Sequence, residues 1–187
     1  MNPVLGTALA VHRKLLELGE RFCMIGGIAL QRWGEARLTR DVDVTVLCAF
    51  GDEARIADRL LYHFAPRLAN AHEFAIRNRV LLLKSEDNTP IDVALGAIPF
   101  EERCVARASD WPLGGDTSLR TCSSEDLIVL KAFASRPQDW VDITAVVTRQ
   151  GKKLHWPQIL EEIEPLAAAK EAPDIIERLQ ALRRTSS

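Results

Sequence analysis

The sequence predicts an α/β protein: a mixed β-sheet flanked by helices over residues 1–122, followed by a helical C-terminal region over 123–187 that packs on that core. Three observations carry this reading. Short apolar runs with an alternation of two, such as Val42, Val44 and Val46 in LTRDVDVTVL, are interleaved with segments of helical period up to Cys122. The runs FAIRNRVLLLKS and TPIDVALGAI flank the polar turn EDNTP, a hairpin signal that requires at least one antiparallel pair. Beyond Ser123 the periodicity is helical throughout.

The elements follow in order. Leu5, Leu9, Val11, Leu15 and Leu16 make the apolar stripe of an N-terminal helix, and Gly19 suits its C-cap. RFCMIGG reads as a short strand closed by a glycine turn, and GIALQRWG as a short helix stopping at Gly34. LTRDVDVTVL is a strand running to about Cys48. GDEARIADRLLYHF is a helix with an acidic first turn and Ile56, Leu60, Leu61 and Phe64 on one face. After the hairpin, RCVARAS and SLRTCS read as two weaker strands joined by the loop WPLGGD. SSEDLIVLKAFASR opens with a capping box from Ser123 to Asp126, PQDWVDITAVVTRQG places Pro137 in a first turn and ends at Gly151, and two helices near 157–170 and 173–184 complete the chain.

Composition narrows the function. A net charge of −2 over 187 residues is not that of a strongly basic nucleic-acid binder. The N-terminal apolar run is too short for a signal or a membrane span. Cys23, Cys48, Cys104 and Cys122 lack metal-ligand spacing and read as free thiols of a reducing, cytoplasmic protein; the scattered histidines offer no zinc site.

The chemistry-bearing residues are acids in an apolar setting. Asp41 and Asp43 are two apart, so on a strand they share a face with Cα atoms about 6.6 Å apart. Like charges that close repel unless a cation lies between them, and two carboxylates can bind a pair of divalent cations suited to phosphoryl transfer. Asp92, a lone acid in the apolar strand PIDVALG, is the candidate third carboxylate, and Mg²⁺ is the hard cation that suits three oxygen donors. Gly26 and Gly27 let the backbone approach a ligand at a helix start, an arrangement that accepts phosphate.

With these residues in view, GGIALQRWGEARLTRDVDV resembles the first motif of the polymerase-β-type nucleotidyltransferase superfamily: a Gly-Gly turn, a short helix, then an acid-x-acid strand. Arg37, Thr39 and Arg40 before the acids make it similar to the AbiEii-type branch, which includes toxins of toxin–antitoxin systems. IDVALG resembles that branch's second motif, and SEDLIVLKAFASRPQDWVDI its helical part. The resemblance implies the minimal nucleotidyltransferase fold, with Gly26 and Gly27 holding a triphosphate and Asp41, Asp43 and Asp92 serving catalysis and binding Mg²⁺. It further implies that Asp92 helps activate the acceptor, that Lys131 reaches the phosphates, and that Arg37, Thr39, Arg40, Arg136 and Asp139 are further nucleotide-site residues. The stretch NTPID departs from relatives that place a basic residue just before the third acid.

The expected activity is transfer of a nucleoside monophosphate from an NTP to a tRNA, a protein or a small molecule, with a cognate antitoxin as a possible partner. The rival reading is a non-catalytic nucleotide- or partner-binding module on the same fold; a metal-dependent phosphodiesterase or nuclease ranks last, since it leaves the glycine turn unused. Plainer roles stand beside these. Arg37 or Arg40 could pair with the acids, Lys131 could be a solvated face residue, Arg136, Asp139 and Asp142 could pin two helices together, and the four tryptophans could be packing residues.

Overall fold

The computed structural model describes residues 3–185, and the chain divides into two compact units, residues 1–28 with 38–122 and residues 29–37 with 123–187. In the first unit, strands β1 (Phe22–Met24), β2 (Val42–Leu47), β3 (Ala65–Pro66), β4 (Val80–Lys84), β5 (Pro90–Gly96), β6 (Ser109–Gly114) and β7 (Thr117–Thr121) form one mixed sheet in the order β3-β4-β5-β2-β1-β7-β6. β2 runs parallel to β5 and antiparallel to β1.

The alternation read from the sequence sorts the two sheet faces. Val42, Val44 and Val46 are buried together with Phe22, Met24, Leu81, Leu83, Ile91, Val93 and Leu95. They pack under Ala8, Leu9, Val11 and Leu15 of α1 (Pro3–Glu17) and under Ile56, Ala57 and Leu60 of α3 (Glu53–Leu61). Each such branched side chain taken from water contributes about 1.5–3 kcal/mol, so this face fixes the strand register. The opposite face carries Cys23, Asp43, Thr45, Asp92, Ala94 and Gly96, which the cross-strand pairs Cys23↔Thr45, Asp43↔Asp92 and Thr45↔Ala94 set side by side. Helix α5 (Pro99–Arg107) covers one end of it: a Cβ at Gly96 would sit 3.1 Å from that of Glu101, and the Cys23 and Cys104 sulfurs lie 3.8 Å apart.

Several expectations are corrected. The strand over LTRDVDVTVL begins only at Val42, because the Thr39 hydroxyl donates to the Asp41 carboxylate (3.0 Å) and holds residues 39–41 in a loop. The first run of the hairpin is split. AHEFAIRN forms helix α4 (Ala71–Asn78), with Ala71 and Ala75 buried one turn apart, and Arg79 at φ 55° ends it before β4 starts. RCVARAS is mostly helix rather than strand, because α5 starts at Pro99 and the Glu101 carboxylate accepts the N–H groups of Ala97 (2.8 Å) and Ile98 (3.1 Å). WPLGGD, read as a loop, supplies β6 and its tight turn. Leu16, placed in the apolar stripe, is exposed, while Val4 and Ala8 take the core positions. β3 was not expected.

The second unit is helical: α6 (Ser124–Ala134), α7 (Pro137–Gln150), α8 (Trp156–Ala169) and α9 (Asp174–Thr185), joined by residues 29–37. The Ser123 cap forms as its spacing predicts, its Oγ accepting the Asp126 N–H at 3.1 Å. Trp140 and Trp156 are buried packing residues, and all four cysteines are buried thiols.

Candidate active site

Asp43 and Asp92 stand directly opposite each other on the parallel strands β2 and β5, on the face away from the apolar core. Cross-strand neighbours have Cβ atoms about 5 Å apart, so two carboxylates share one small region of surface. Asp41 precedes β2 in the loop held by Thr39, and all three acids are half-buried. The glycine turn is fitted to this group. Gly26 begins helix α2 (Gly26–Trp33) at φ 55°, and a Cβ there would overlap the Asp43 carboxylate. A Cβ on Gly27 would overlap the Thr39 hydroxyl. Gly26 is therefore required by an acid of the group itself, and Gly27 by the threonine that holds Asp41.

The electrostatics of Asp92 place it among charges. Burial pushes its carboxyl above the usual range; the Arg67 guanidinium beside it pulls it down, and the Asp41 charge pushes it up again. Arg67 is paired with Asp92. Arg40 is exposed in the loop before Asp41. Nothing in the local sequence marks Arg67: it follows a proline on a two-residue edge strand, and its reach to Asp92 depends on non-local pairing.

Among the described residues, no three His, Cys, Asp or Glu side chains are already gathered as a metal-holding group. The donors nevertheless suit a hard divalent cation. They are carboxylate oxygens of Asp43 and Asp92 on adjacent strands and of Asp41 in the loop before β2, the Asp41 charge bears on Asp92, and the position of Asp43 is kept clear by a residue without a side chain.

Within the second unit, Lys131, Arg37, Arg136 and Asp139 join one network around Asp142. Lys131 is buried and donates to Asp142 (2.6 Å) and Asp139 (3.3 Å). Arg37 forks onto both oxygens of Asp142, each at 3.0 Å, and Gln138 donates to Asp142 at 3.1 Å. Although burial pushes the Asp142 carboxyl up, the hydrogen bonds from Arg37, Lys131 and Gln138 hold it down at about 2. Asp139 accepts the Arg136 backbone N–H (3.1 Å) at the start of α7 and meets the exposed Arg136 side chain at 3.2 Å. Arg37 and Asp142 are thus joined across a long stretch of sequence, a pairing that residue spacing alone does not reveal.

Residues 8–184 match the family described as "Nucleotidyl transferase AbiEii toxin, Type IV TA system". No curated protein matches the chain in sequence. In structure the chain is similar to an antigenic nucleotidyltransferase-like protein from Paracoccidioides brasiliensis, at 15% identity and TM-score 0.54, with 96% of this chain and 94% of that one covered. It also aligns with the antibiotic-resistance factor ANT(2'')-Ia (16% identity, 97% and 94% covered, TM-score 0.49). A further alignment is with the lincosamide antibiotic adenylyltransferase LnuA (14% identity, 78% and 96% covered, TM-score 0.46). At these identities the likeness is one of fold, and it is carried by the first of the three.

Proposed function

The chain belongs to the AbiEii nucleotidyltransferase family, and from that premise we propose that it transfers a nucleoside monophosphate from an NTP to an acceptor hydroxyl or phosphate in a Mg²⁺-dependent reaction. The observation that carries this reading is the Asp43↔Asp92 pairing beside Asp41, with Gly26 shaped around the Asp43 carboxylate. Asp41, Asp43 and Asp92 would hold the cation, which when bound supplies charge neutralisation for the attacking and leaving oxygens. Gly26 and Gly27 present backbone N–H groups at the start of α2 to the triphosphate. Asp92 draws the proton from the acceptor as its oxygen bonds to the α-phosphorus, and the bond to pyrophosphate breaks with its electron pair going to the leaving oxygen. Holding the acceptor and α-phosphate in line is the larger part of the task.

Lys131, Arg37, Arg136 and Asp139 serve this reading through the network of the second unit, where Lys131 is engaged with Asp139 and Asp142. The acceptor is a tRNA, a protein or a small molecule. No helix among the described residues is long and apolar enough to cross a membrane, and we place the reaction in the cytoplasm. A toxin role, held in check by a cognate antitoxin, is the reading the family description favours.

The test incubates the purified chain with each α-³²P-labelled NTP, Mg²⁺ and total tRNA, beside an Asp43→Asn variant. Label transferred to RNA by the wild type alone identifies nucleotide and acceptor together. Label appearing on protein or small molecule moves the acceptor class. Equal transfer by Asp43→Asn would sink the assignment of the acids, and loss of growth on expression that Asp43→Asn abolishes would tie toxicity to catalysis.

A further inference from the structure

The strand register sets four residues in one row across the sheet. Asp43 lies opposite Asp92, Asp92 lies opposite Leu82, and the Leu82 carbonyl accepts the Arg67 N–H at 3.0 Å just beyond the Pro66↔Leu83 pair. Arg67, Leu82, Asp92 and Asp43 therefore sit abreast. The arginine side chain spans the one strand between its own backbone and Asp92, and the pair is partly open to solvent, with 30% and 38% of the two side chains exposed. An arginine anchored by a ladder hydrogen bond, with its guanidinium on an acid of the site, is a built-in counter-ion rather than a wandering surface charge.

We propose that Arg67 is a positioning residue that competes with the divalent cation for Asp92, so that metal loading requires the guanidinium to let go. The inference rests on the assignment of Asp92 to the metal site. Arg67 fills with a fixed cation the position at which a carboxylate faces its neighbours across the row, and in doing so holds down affinity for free metal. Metal arriving together with a nucleotide triphosphate meets less resistance, because the phosphates give the released guanidinium an anion to pair with. The site then loads as metal plus nucleotide in preference to metal alone. No bond is made or broken in this step: one cation leaves a carboxylate and another takes its place.

The experiment measures Mn²⁺ bound by the full chain through the loss of the free-ion electron paramagnetic resonance signal, with and without a non-hydrolysable NTP. Four proteins are compared: wild type, Arg67→Gln, Arg67→Lys and Asp92→Asn. The expected result is that Arg67→Gln binds Mn²⁺ alone about fivefold tighter than wild type, the size of a partly exposed ion pair. Arg67→Lys is expected to stay near wild type, and the gain in Mn²⁺ affinity on adding nucleotide to be smaller in Arg67→Gln. Mn²⁺ affinity that needs Asp92 but is unchanged or weaker in Arg67→Gln overturns the role of Arg67 and leaves the acid site standing. Mn²⁺ binding that Asp92→Asn leaves intact, or no binding by any of the four even with nucleotide, overturns the assignment of Asp92 and the role of Arg67 with it.

Discussion

The two acid groups of the chain are neutralised in opposite ways. In the second unit Asp139 meets Lys131 and Arg136, and Asp142 meets Lys131, Arg37 and the Gln138 amide, so cations outnumber carboxylates at a buried site. In the first unit Asp41 is held by the neutral Thr39 hydroxyl, and Asp92 shares a half-open position with Arg67 while facing Asp43 across the strands. A carboxylate whose lone pairs are already taken by buried donors is a structural part. One kept half-exposed beside another acid is prepared for an added cation. On the proposed reading, the contrast separates acids that shape the fold from acids set out for chemistry.

That contrast can be broken from either side. The largest expected effect is on catalysis: Asp43→Asn should lower kcat by about 10³-fold, the scale of losing one preorganised electrostatic contact, while its thermal unfolding midpoint stays within a few degrees of wild type. A steady-state assay paired with a melting curve checks this, and a large fall in midpoint would count Asp43 as structural. Next in size, Lys131→Met should destabilise the chain by about 3 kcal/mol, because it leaves two buried carboxylates with less compensation. Denaturant unfolding reads it directly, and a change under 1 kcal/mol would mean that Arg37 and Arg136 suffice.

Gly26→Ala is expected to cost about 10²-fold in activity, since the added methyl must push the Asp43 carboxylate aside and displacements near 1 Å are worth that much. The cost should appear in kcat rather than in folding yield, and an active Gly26→Ala protein would show that the turn has room to spare. The smallest effect is a pH dependence. Asp142 titrates at about 2 in the folded chain against an ordinary 3.8, so the unfolded chain takes up its proton first as pH falls. Its contribution to stability is whole above about pH 4 and fades from there toward pH 2. Comparing the acid limb of unfolding midpoints for wild type and Asp142→Asn isolates it; parallel limbs would contradict the shift.

Local periodicity made most of the fold readable. Val42, Val44 and Val46 named their own face, Ser123 capped its helix, and Pro137 and Gly151 bracket α7. Two of the misreadings come from helix-to-strand boundaries that carry no glycine or proline signal of their own. In FAIRNRVLLLKS a helix and a strand abut with no glycine or proline between them, because Arg79 itself takes the left-handed conformation, and a continuous apolar run conceals that break. RCVAR looks as much like a strand as a helix until Glu101 is seen capping it. Asp43, Asp92, Gly26 and Gly27 fall where a strand period and a turn put them, whereas Asp41 lies in the loop before β2. Arg67 was not legible, because its position depends on β3, a strand two residues long whose register is set by β4. Nor was the Arg37–Asp142 fork, which joins residues 105 apart.

The tight fit between Gly26 and Asp43 also bears on how such a chain can drift. A side chain at position 26 is compatible only with a smaller or displaced group at position 43, so neither position can change by itself without disturbing the other. The two positions are expected to change together among relatives, and a lineage that lost the acid at 43 would be released from both constraints at once.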